Sequence, residues 1–383
     1  MGSQEVKEGY KLTEVGVIPE DWDIFSLQAL FSLKNGINAD KKQYGKGIKF
    51  INILEIIKNN SIFYQDIPGL ISLDTHTIKS NCVLKGDVLF NRTSETQEEI
   101  GLSSVYLDDK EVVFGGFVIR ARPISNLINC YFSKYAFSSR IVRNQIIKKG
   151  QGAVRANIGQ SDLKEVYIPL PPLPEQEKIA QVLSDFDRAI AHLDKLISKK
   201  RNVKQGTMQQ LLTGKKRLPG FSGEWEVKEL GKLLKVKHGK SQHEVFDIYG
   251  EYPILGTGGE FGRAKTYLYN KPSVLIGRKG TIDLPQYIDT PFWTIDTLFY
   301  TEIFSNVLAK FIFYRFNLIN WYSYNEASGV PSLNAKTIEN ITISIPPLAE
   351  QKEIAQILTD MDAEIEALEK KRNKYQAIKQ GMM

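Results

Sequence analysis

One segment of this chain occurs twice. Residues 168–208 align without gaps onto residues 343–383, and the two copies are identical at 20 of 41 positions. A shorter upstream match, at an offset of 203, aligns Trp22, Leu27 and Gly36 with Trp225, Leu230 and Gly239. Between the two matches the halves diverge almost completely, and the second half is 28 residues shorter. The sequence therefore predicts two similar halves, in which a repeated frame carries a different insert.

The repeated segments predict two long helices. Each starts after a Pro-Pro pair, which is expected to be extended because proline fixes φ and disfavours helix in the preceding residue. Apolar residues then recur at spacings of three and four. We expect the seam between the helices to include Ile179, Phe186, Leu193, Ile354, Met361 and Leu368. About 35 residues of helix would span roughly 50 Å, and two such rods can bury their apolar stripes against each other. A pair of ordinary core helices is the alternative.

Positive charge is concentrated in three windows. The net charge is only +6, but residues 138–161, 195–217 and 263–282 contain basic residues and no acidic ones. Windows of this kind fit the footprint of a polyanion such as nucleic acid. Solvated surface gives the same pattern, so charge alone leaves both interpretations open.

The inserts predict mixed α/β domains with polar loops after short buried strands. The apolar runs 88–90 and 274–276 follow turn residues and are typical of strands. If the partner is nucleic acid, the candidate contacts after these strands are Asn91 and Arg92 in the first insert and Arg278 and Lys279 in the second. Arginine pairs with guanine and asparagine with adenine, while other basic groups bind phosphate. The loops 148–155 and 325–332 are the next candidates, the former through Lys148, Lys149, Gln151 and Arg155. A structural ion pair is the alternative for any one arginine.

Catalytic and metal-binding patterns are not recognisable in the sequence. An adenine methyltransferase needs Asn or Asp before Pro-Pro and an aromatic residue after it, whereas both pairs here lie between Leu or Ile residues. The glycine-rich string 256–262 lacks the G-x-G-x-x-G spacing of a nucleotide loop. Four histidines and two cysteines show no metal-ligand spacing. We therefore expect a non-catalytic protein without its own cofactor or metal. With no signal peptide or membrane span, we expect it in the cytoplasm with reduced thiols.

These features together resemble the specificity (S) subunits of type I restriction–modification systems. The motifs that carry the resemblance are, in order, residues 18–22, 85–92, 170–176, 210–215 and 346–351. The resemblance covers essentially the whole chain, and the ordered repeat makes it specific. It implies an α/β (α+β) fold with two target recognition domains separated by two long antiparallel coiled-coil helices. The expected divisions are a first domain 1–167, a central helical region 168–212, a second domain 213–342 and a C-terminal helical region 343–383.

The resemblance also implies a function and partners. Each domain would read one half of a bipartite double-stranded DNA target. The helices would dock two methyltransferase (M) subunits, and restriction (R) subunits would join through the complex. S-adenosylmethionine is expected on the M subunit and not on this chain. Two alternatives are a type II restriction–methylation enzyme with its own active site and a coiled-coil adaptor that binds only protein.

The two frames differ in one respect. The first continues past Met208 into a Gln-Gln-Leu-Leu-Thr-Gly-Lys tail, whereas the second copy stops at Met383. Two explanations stay open at this stage: the amino-terminal stretch 7–11 closes the second half, or the tail has been lost or trimmed.

Overall fold

A computed structural model describes residues 6–152 and 155–383. Ala153 and Val154 of the predicted loop 148–155 lie outside the described residues. The chain divides into two compact units, one made of residues 1–192 and 373–383 and the other of residues 193–372. Each unit thus combines one globular domain with segments of both long helices. Within the described part of the chain, no helix combines the length and apolar character needed to cross a membrane.

The first unit contains the following elements. Its strands are β1 (Tyr10–Thr13), β2 (Gly16–Pro19), β3 (Asp23–Ser26), β4 (Phe31–Asn35), β5 (Tyr44–Ile51), β6 (Ser61–Ile62), β7 (Leu70–Ile71), β8 (Cys82–Val83), β9 (Val88–Asn91), β10 (Thr93–Ser94), β11 (Ser103–Tyr106), β12 (Val112–Phe114), β13 (Val118–Pro123), β14 (Ala156–Asn157) and β15 (Tyr167–Leu170). Its helices are α1 (Leu27–Leu30), α2 (Ile53–Lys58), α3 (Thr75–Asn81), α4 (Cys130–Ala136), α5 (Arg140–Lys149) and α6 (Gln160–Lys164). The first long helix, α7 (Leu173–Leu211), begins here and ends in the second unit.

The insert of the second unit is shorter than the insert of the first unit. Its strands are β16 (Glu226–Glu229), β17 (Leu234–His238), β18 (Tyr252–Gly256), β19 (Gly259–Ala264), β20 (Ser273–Gly277), β21 (Gln286–Ile288), β22 (Trp293–Thr294), β23 (Leu298–Ile303) and β24 (Thr342–Ile345). Its helices are α8 (Ala309–Phe316), α9 (Ala335–Glu339) and most of the second long helix, α10 (Leu348–Met382).

A buried strand forms the centre of each domain. β9 lies inside a five-stranded sheet of order β4-β13-β9-β11-β6, and its apolar residues 88–90 are fully buried, as expected for a strand covered on both faces. The turn before it uses Gly86, whose φ is +92°. The buried Asp87 carboxylate next to that turn accepts hydrogen bonds from Arg122 Nε at 2.9 Å and Nη2 at 2.7 Å. The motif at residues 85–92 therefore fixes the central strand.

The two inserts share a topology that their sequences do not reveal. In the second unit the order β17-β23-β20-β21 repeats the order β4-β13-β9-β11 of the first, and all pairings in both are antiparallel. A second sheet in each unit contains one parallel pair, β5 with β12 and β18 with β22. Apolar packing tolerates many residue combinations of suitable volume. The same fold can therefore persist after the sequences have diverged.

The repeated glycine marks the same close approach in both domains. A Cβ on Gly36 would lie 2.0 Å from the carbonyl oxygen of Gly115, and one on Gly239 would lie 2.0 Å from that of Ile295. The Gly36 amide donates to Val118 and the Gly239 amide donates to Leu298, each the first residue of the neighbouring strand. Only glycine lets the backbones approach this closely.

A buried glutamine connects each long helix to its domain. Gln176 Oε1 accepts from the Asn129 amide at 2.8 Å, where α4 begins, and its Nε2 donates to the Leu127 carbonyl at 2.9 Å. Gln351 Oε1 accepts from the Leu308 amide at 2.8 Å, where α8 begins. Both amides also bond the first proline of the preceding Pro-Pro pair. The glutamine of the repeated Glu-Gln motif is thus explained, because its side-chain amide provides hydrogen-bond partners for buried backbone N–H and C=O groups.

The long helices run antiparallel within each unit, as predicted. α7 has 39 residues and would extend about 58 Å. In the second unit Lys200 pairs with Glu364 at 2.6 Å, and Asp194 with Arg372 at 3.3 Å, so the earlier residue of α7 meets the later residue of α10. In the first unit the rings of Phe186 and Tyr375 pack edge to face at 5.8 Å. The α/β fold with two long antiparallel helices is confirmed.

The predicted seam residues lie in different surroundings. Phe186 contacts the other helix, Leu193 is buried and Leu368 is half-buried. Ile179 packs against the core of the first domain, and Ile354 and Met361 pack in the core of the second. At its start, each helix therefore directs its apolar stripe into its own domain.

A repeated aspartate connects three elements in each unit. Asp187 accepts from Lys379 Nζ at 2.6 Å, from Lys134 Nζ at 2.8 Å and from the Tyr135 hydroxyl at 2.9 Å. Its counterpart Asp362 accepts from Lys204 and from the Tyr314 hydroxyl. Burial raises the pKa of Asp187, but the hydrogen bonds from the two lysines and the tyrosine outweigh it, and the pKa lies below its ordinary value.

We expect Asp187→Asn to lower the free energy of unfolding by about 1–2 kcal/mol at pH 7, because two lysines lose their shared acceptor. A lowered folded-state pKa stabilises the fold above the unfolded pKa of about 4 and loses that effect as the pH falls through the folded value. The difference from wild type should therefore shrink below pH of about 4. Denaturant unfolding of the variant and the wild type, at pH 7 and again below pH of about 4, measures this difference in the free energy of unfolding. Asp185→Asn is the control, since Asp185 is exposed and its partners among the described residues, Gln181 and Arg188, lie on its own helix. Equal losses in both variants would contradict the assignment.

Candidate nucleic-acid interface

The loops after β9 and β20 have the same backbone anchors. The Arg92 amide donates to the Phe117 carbonyl at 2.8 Å, and the Arg278 amide donates to the Thr297 carbonyl at 2.8 Å. Each acceptor directly precedes the neighbouring strand, β13 or β23. The carbonyls of the two arginines accept from Ile158 at 3.0 Å and from Leu333 at 2.9 Å. The two arginines thus occupy equivalent positions in their domains.

The two arginine side chains are not equivalent. The guanidinium of Arg92 is half-buried and has no hydrogen-bond or ion-pair partner among residues 6–152 and 155–383. Arg278 Nε donates to the Asp296 carbonyl at 2.6 Å, and its Nη2 lies 3.8 Å from the Asp296 carboxylate. Arg92 is therefore free to bind an external acceptor, whereas Arg278 is partly held by its own loop.

The structure places the predicted contact residue Asn91 inside the domain. Asn91 is the last residue of β9 and is 1% exposed. Its Nδ2 donates to the Glu99 carbonyl at 2.9 Å. A side chain enclosed in this way is not exposed to a base edge in this conformation, and its hydrogen bond supports the loop. Periodicity did not reveal this, because the strand is buried on both faces and continues one residue beyond its apolar run.

The structure brings the second predicted loop of the first domain beside Arg92. β10 pairs with β14, which places Thr93 opposite Asn157. Gln151 and Asn157 exchange two backbone hydrogen bonds, at 2.9 and 2.7 Å. Lys148, Gln151 and Arg155 are exposed. Lys149 is not equally available, because its Nζ binds Glu165 Oε2 at 2.6 Å, an interaction that lowers the pKa of Glu165.

The second domain repeats this arrangement. Lys279 forms a bridge with Ser332, and the Gly280 amide donates to the Pro331 carbonyl at 2.8 Å. Asn325 Oδ1 accepts from the Ser332 amide at 2.9 Å and closes the predicted loop 325–332 on itself. Lys279 is exposed. In both domains the two loops singled out from the sequence are therefore neighbours.

Much of the basic charge in the sequence windows is already paired. Arg143 donates to the carbonyls of Gly101, Glu98 and Ile100 at 2.8 to 2.9 Å, and burial lowers its pKa. On α7, Lys200, Arg201 and Lys204 bind acidic residues of α10. Part of the charge in the window 195–217 is thus neutralised by the second helix, and the exposed charge near the loops carries the candidate interface.

Phe117 was missed by sequence reasoning. It lies in the turn before β13 and is 59% exposed. Its carbonyl accepts the Arg92 amide, so its ring lies in the loop next to that arginine. The Gly115-Gly116 pair before it is the signal that a turn, and not a continuous strand, occupies this place.

Two domains of one topology, each with exposed loops beside its central strand, define an internally repeated recognition protein built on paired helices. The family model described as the type I restriction modification DNA specificity domain matches residues 19–200 and again residues 222–379. The chain belongs to this family.

Individual relatives support the same placement along the whole chain. A Methanocaldococcus jannaschii protein provisionally named the type I restriction enzyme MjaX specificity subunit is 29% identical, with 98% of this chain and 95% of that protein covered. The StySPI specificity subunit of Salmonella potsdam is 24% identical over 94% of this chain and 86% of that protein. The crystal structure of a type I restriction–modification S subunit from M. genitalium has a TM-score of 0.63 and 20% identity over 94% of both chains, a likeness of fold.

Proposed function

We propose that this chain is the DNA-recognition subunit of a type I restriction–modification complex and that each domain reads one half of a split double-stranded target. The observation that carries the proposal is the matched pair of loops. Both have the same backbone anchors, but they present different side chains, Arg92 with Phe117 in one domain and Arg278 with Lys279 in the other. Two domains that recognise different DNA sequences in the same way need the same loop geometry but different side chains on the loops.

The loop residues divide by availability. Arg92 is the candidate for a base edge, since its guanidinium is free and guanine accepts two hydrogen bonds from it. Phe117 is the candidate for an apolar contact with a thymine methyl group. Lys148 and Arg155 are exposed and flank that loop, so they are assigned to phosphates. These contacts position the duplex and contribute no sequence information.

The proposal assigns chemistry to the partners. The paired helices dock two methyltransferase subunits per chain, and S-adenosylmethionine binds those subunits. Restriction subunits join through the complex, and this chain catalyses no step itself.

A methylation assay tests this assignment. With S-adenosylmethionine, the chain alone should leave DNA unmethylated, and methylation should appear when M subunits are added. Methylation by the chain alone would support the enzyme alternative.

We expect Lys148→Ala and Arg155→Ala each to lower the slope of log affinity against log salt by about one ion, because each removes one phosphate contact. The loss should be similar for specific and unrelated duplexes. Affinity is measured by salt titration of the complex with its M subunits. Lys149→Ala is the matched control, since its ammonium is bound to Glu165. Wild-type slopes in all three variants would exclude this loop from the interface.

A further inference from the structure

The glycine-rich string 256–262 forms the tight hairpin between β18 and β19. Gly256 pairs with Gly259, whose φ is +103°. The tip of the hairpin is held by β21, because Gln286 Nε2 donates to the Gly256 carbonyl at 2.9 Å. β21 also pairs with β20, the strand that leads into the Arg278 loop. The string is therefore a surface hairpin that is fixed in place next to the central strand of the second domain.

A β-bulge redirects one side chain of this hairpin. Ile254 pairs with Gly262 and Leu255 pairs with Glu260, so that Phe261 is an extra residue on β19. A bulge interrupts the alternation of a strand and gives a side chain a new direction. Phe261 is 52% exposed. A large apolar ring is thus presented at the surface of an otherwise ordered strand.

The ring of Phe261 lies beside the turn that holds Arg278. An added Cβ on Gly256 would lie 3.3 Å from the ring and 3.4 Å from Ile295 Cδ1, so the two side chains meet over this glycine. Ile295 directly precedes Asp296, whose carbonyl accepts from Arg278 Nε at 2.6 Å. The ring therefore extends the candidate interface of the second domain.

The first domain presents a phenylalanine beside its loop arginine from a different element. Phe117 precedes β13 as Thr297 precedes β23, and each carbonyl accepts the amide of the arginine of its domain. Thr297 brings no ring to that place. After the parallel pair of strands, Asn52 starts α2 in the first domain, whereas at Gly256 the second domain turns back into β19. The hairpin that replaces this helix carries Phe261.

We propose that Phe261 is a specificity-determining residue of the second domain, and that its ring contacts the C5-methyl group of one thymine in the second half-site. This inference rests on the proposed function. The thymine methyl is the apolar group that base pairs present in the major groove. About half of Phe261 is covered by its own domain, whereas a side chain that is inserted between base pairs must project freely. A contact along the edge of the bases therefore fits this ring better than insertion does.

Exchange of single thymines of the second half-site for uracil tests the contact, because uracil lacks only the C5-methyl group. In the complex with its M subunits, the wild-type chain should lose affinity about fourfold at one position, as expected when roughly one methyl group is no longer buried. Phe261→Ala should lose a similar factor on the thymine duplex, and uracil at that position should then cause no further loss. Phe246→Ala is the matched control, since Phe246 is 50% exposed and its ring lies against Gly262. This variant should keep the full effect of uracil.

Two outcomes overturn the proposal: equal wild-type affinity for thymine and uracil at every position of the second half-site, or an unchanged effect of uracil in Phe261→Ala. If Phe261→Ala does not fold, Phe261→Thr decides in its place, because threonine suits a strand and lacks the reach of the ring. A wild-type complex with no preference between half-site sequences would instead contradict the proposed function. The two failures are therefore distinguishable.

Discussion

Exchange of residues 37–155 for the equivalent segment of a family member with another target is expected to replace one half of the methylated motif and leave the other half unchanged. The segment begins after Gly36 and ends before β14, within the stretch that separates the two parts of the repeated frame. It contains β9, β13 and both loops of the first interface. The core clusters that enclose these elements contain only residues of the first unit. The second reader should therefore be unaffected.

Sequencing of methylated bases in cells that carry the exchanged chain and its M subunits measures the outcome. The matched control is the exchange of residues 240–330, which occupy the same place between the frames of the second half and should change only the other half-site. A change in both halves after either exchange would show that the domains do not read independently.

Arg92→Ala is expected to weaken specific binding by about 1–3 kcal/mol and to relax one position of the first half-site. The guanidinium is free of protein partners in the described residues, so its removal takes away an external contact and leaves the fold intact. Arg92→Lys should recover charge but not base preference, because lysine lacks the bidentate fork. If Arg92 bound phosphate, neither substitution would change base preference, because any loss of affinity would be the same for all DNA sequences. Only the alanine variant would then lower the salt slope.

The structure makes Arg278→Ala a useful comparison. Arg278 donates to the Asp296 carbonyl and lies near its carboxylate. Part of its role is therefore to hold the loop, and we expect a smaller loss of base preference than for Arg92→Ala. Binding assays on duplexes with each half-site changed separately measure both. Unchanged affinity, salt slope and motif in both variants would show that these loops are not the DNA face.

The sequence was sufficient for the features that depend on local pattern. Repetition at an offset of 175, helical spacing after the Pro-Pro pairs and the ordered motifs predicted two halves, two long helices and the family. It also selected two loops per domain that the structure places side by side. Such features can be recognised in the sequence because each depends on residues that are close together in the chain or on the repetition of a whole segment.

The tertiary structure alone decided which polar groups are available. Asn91 and Arg92 are adjacent in sequence, yet the side chain of Asn91 is enclosed by the sheet and that of Arg92 has no partner in the part of the chain that the structure describes. Lys148 and Lys149 differ in the same way, because Glu165 reaches only the second. The partners of Arg143, Lys200 and Lys204 lie more than 40 positions away along the chain. Whether a charged side chain is free or bound depends on such distant neighbours, and these are fixed only when the chain folds.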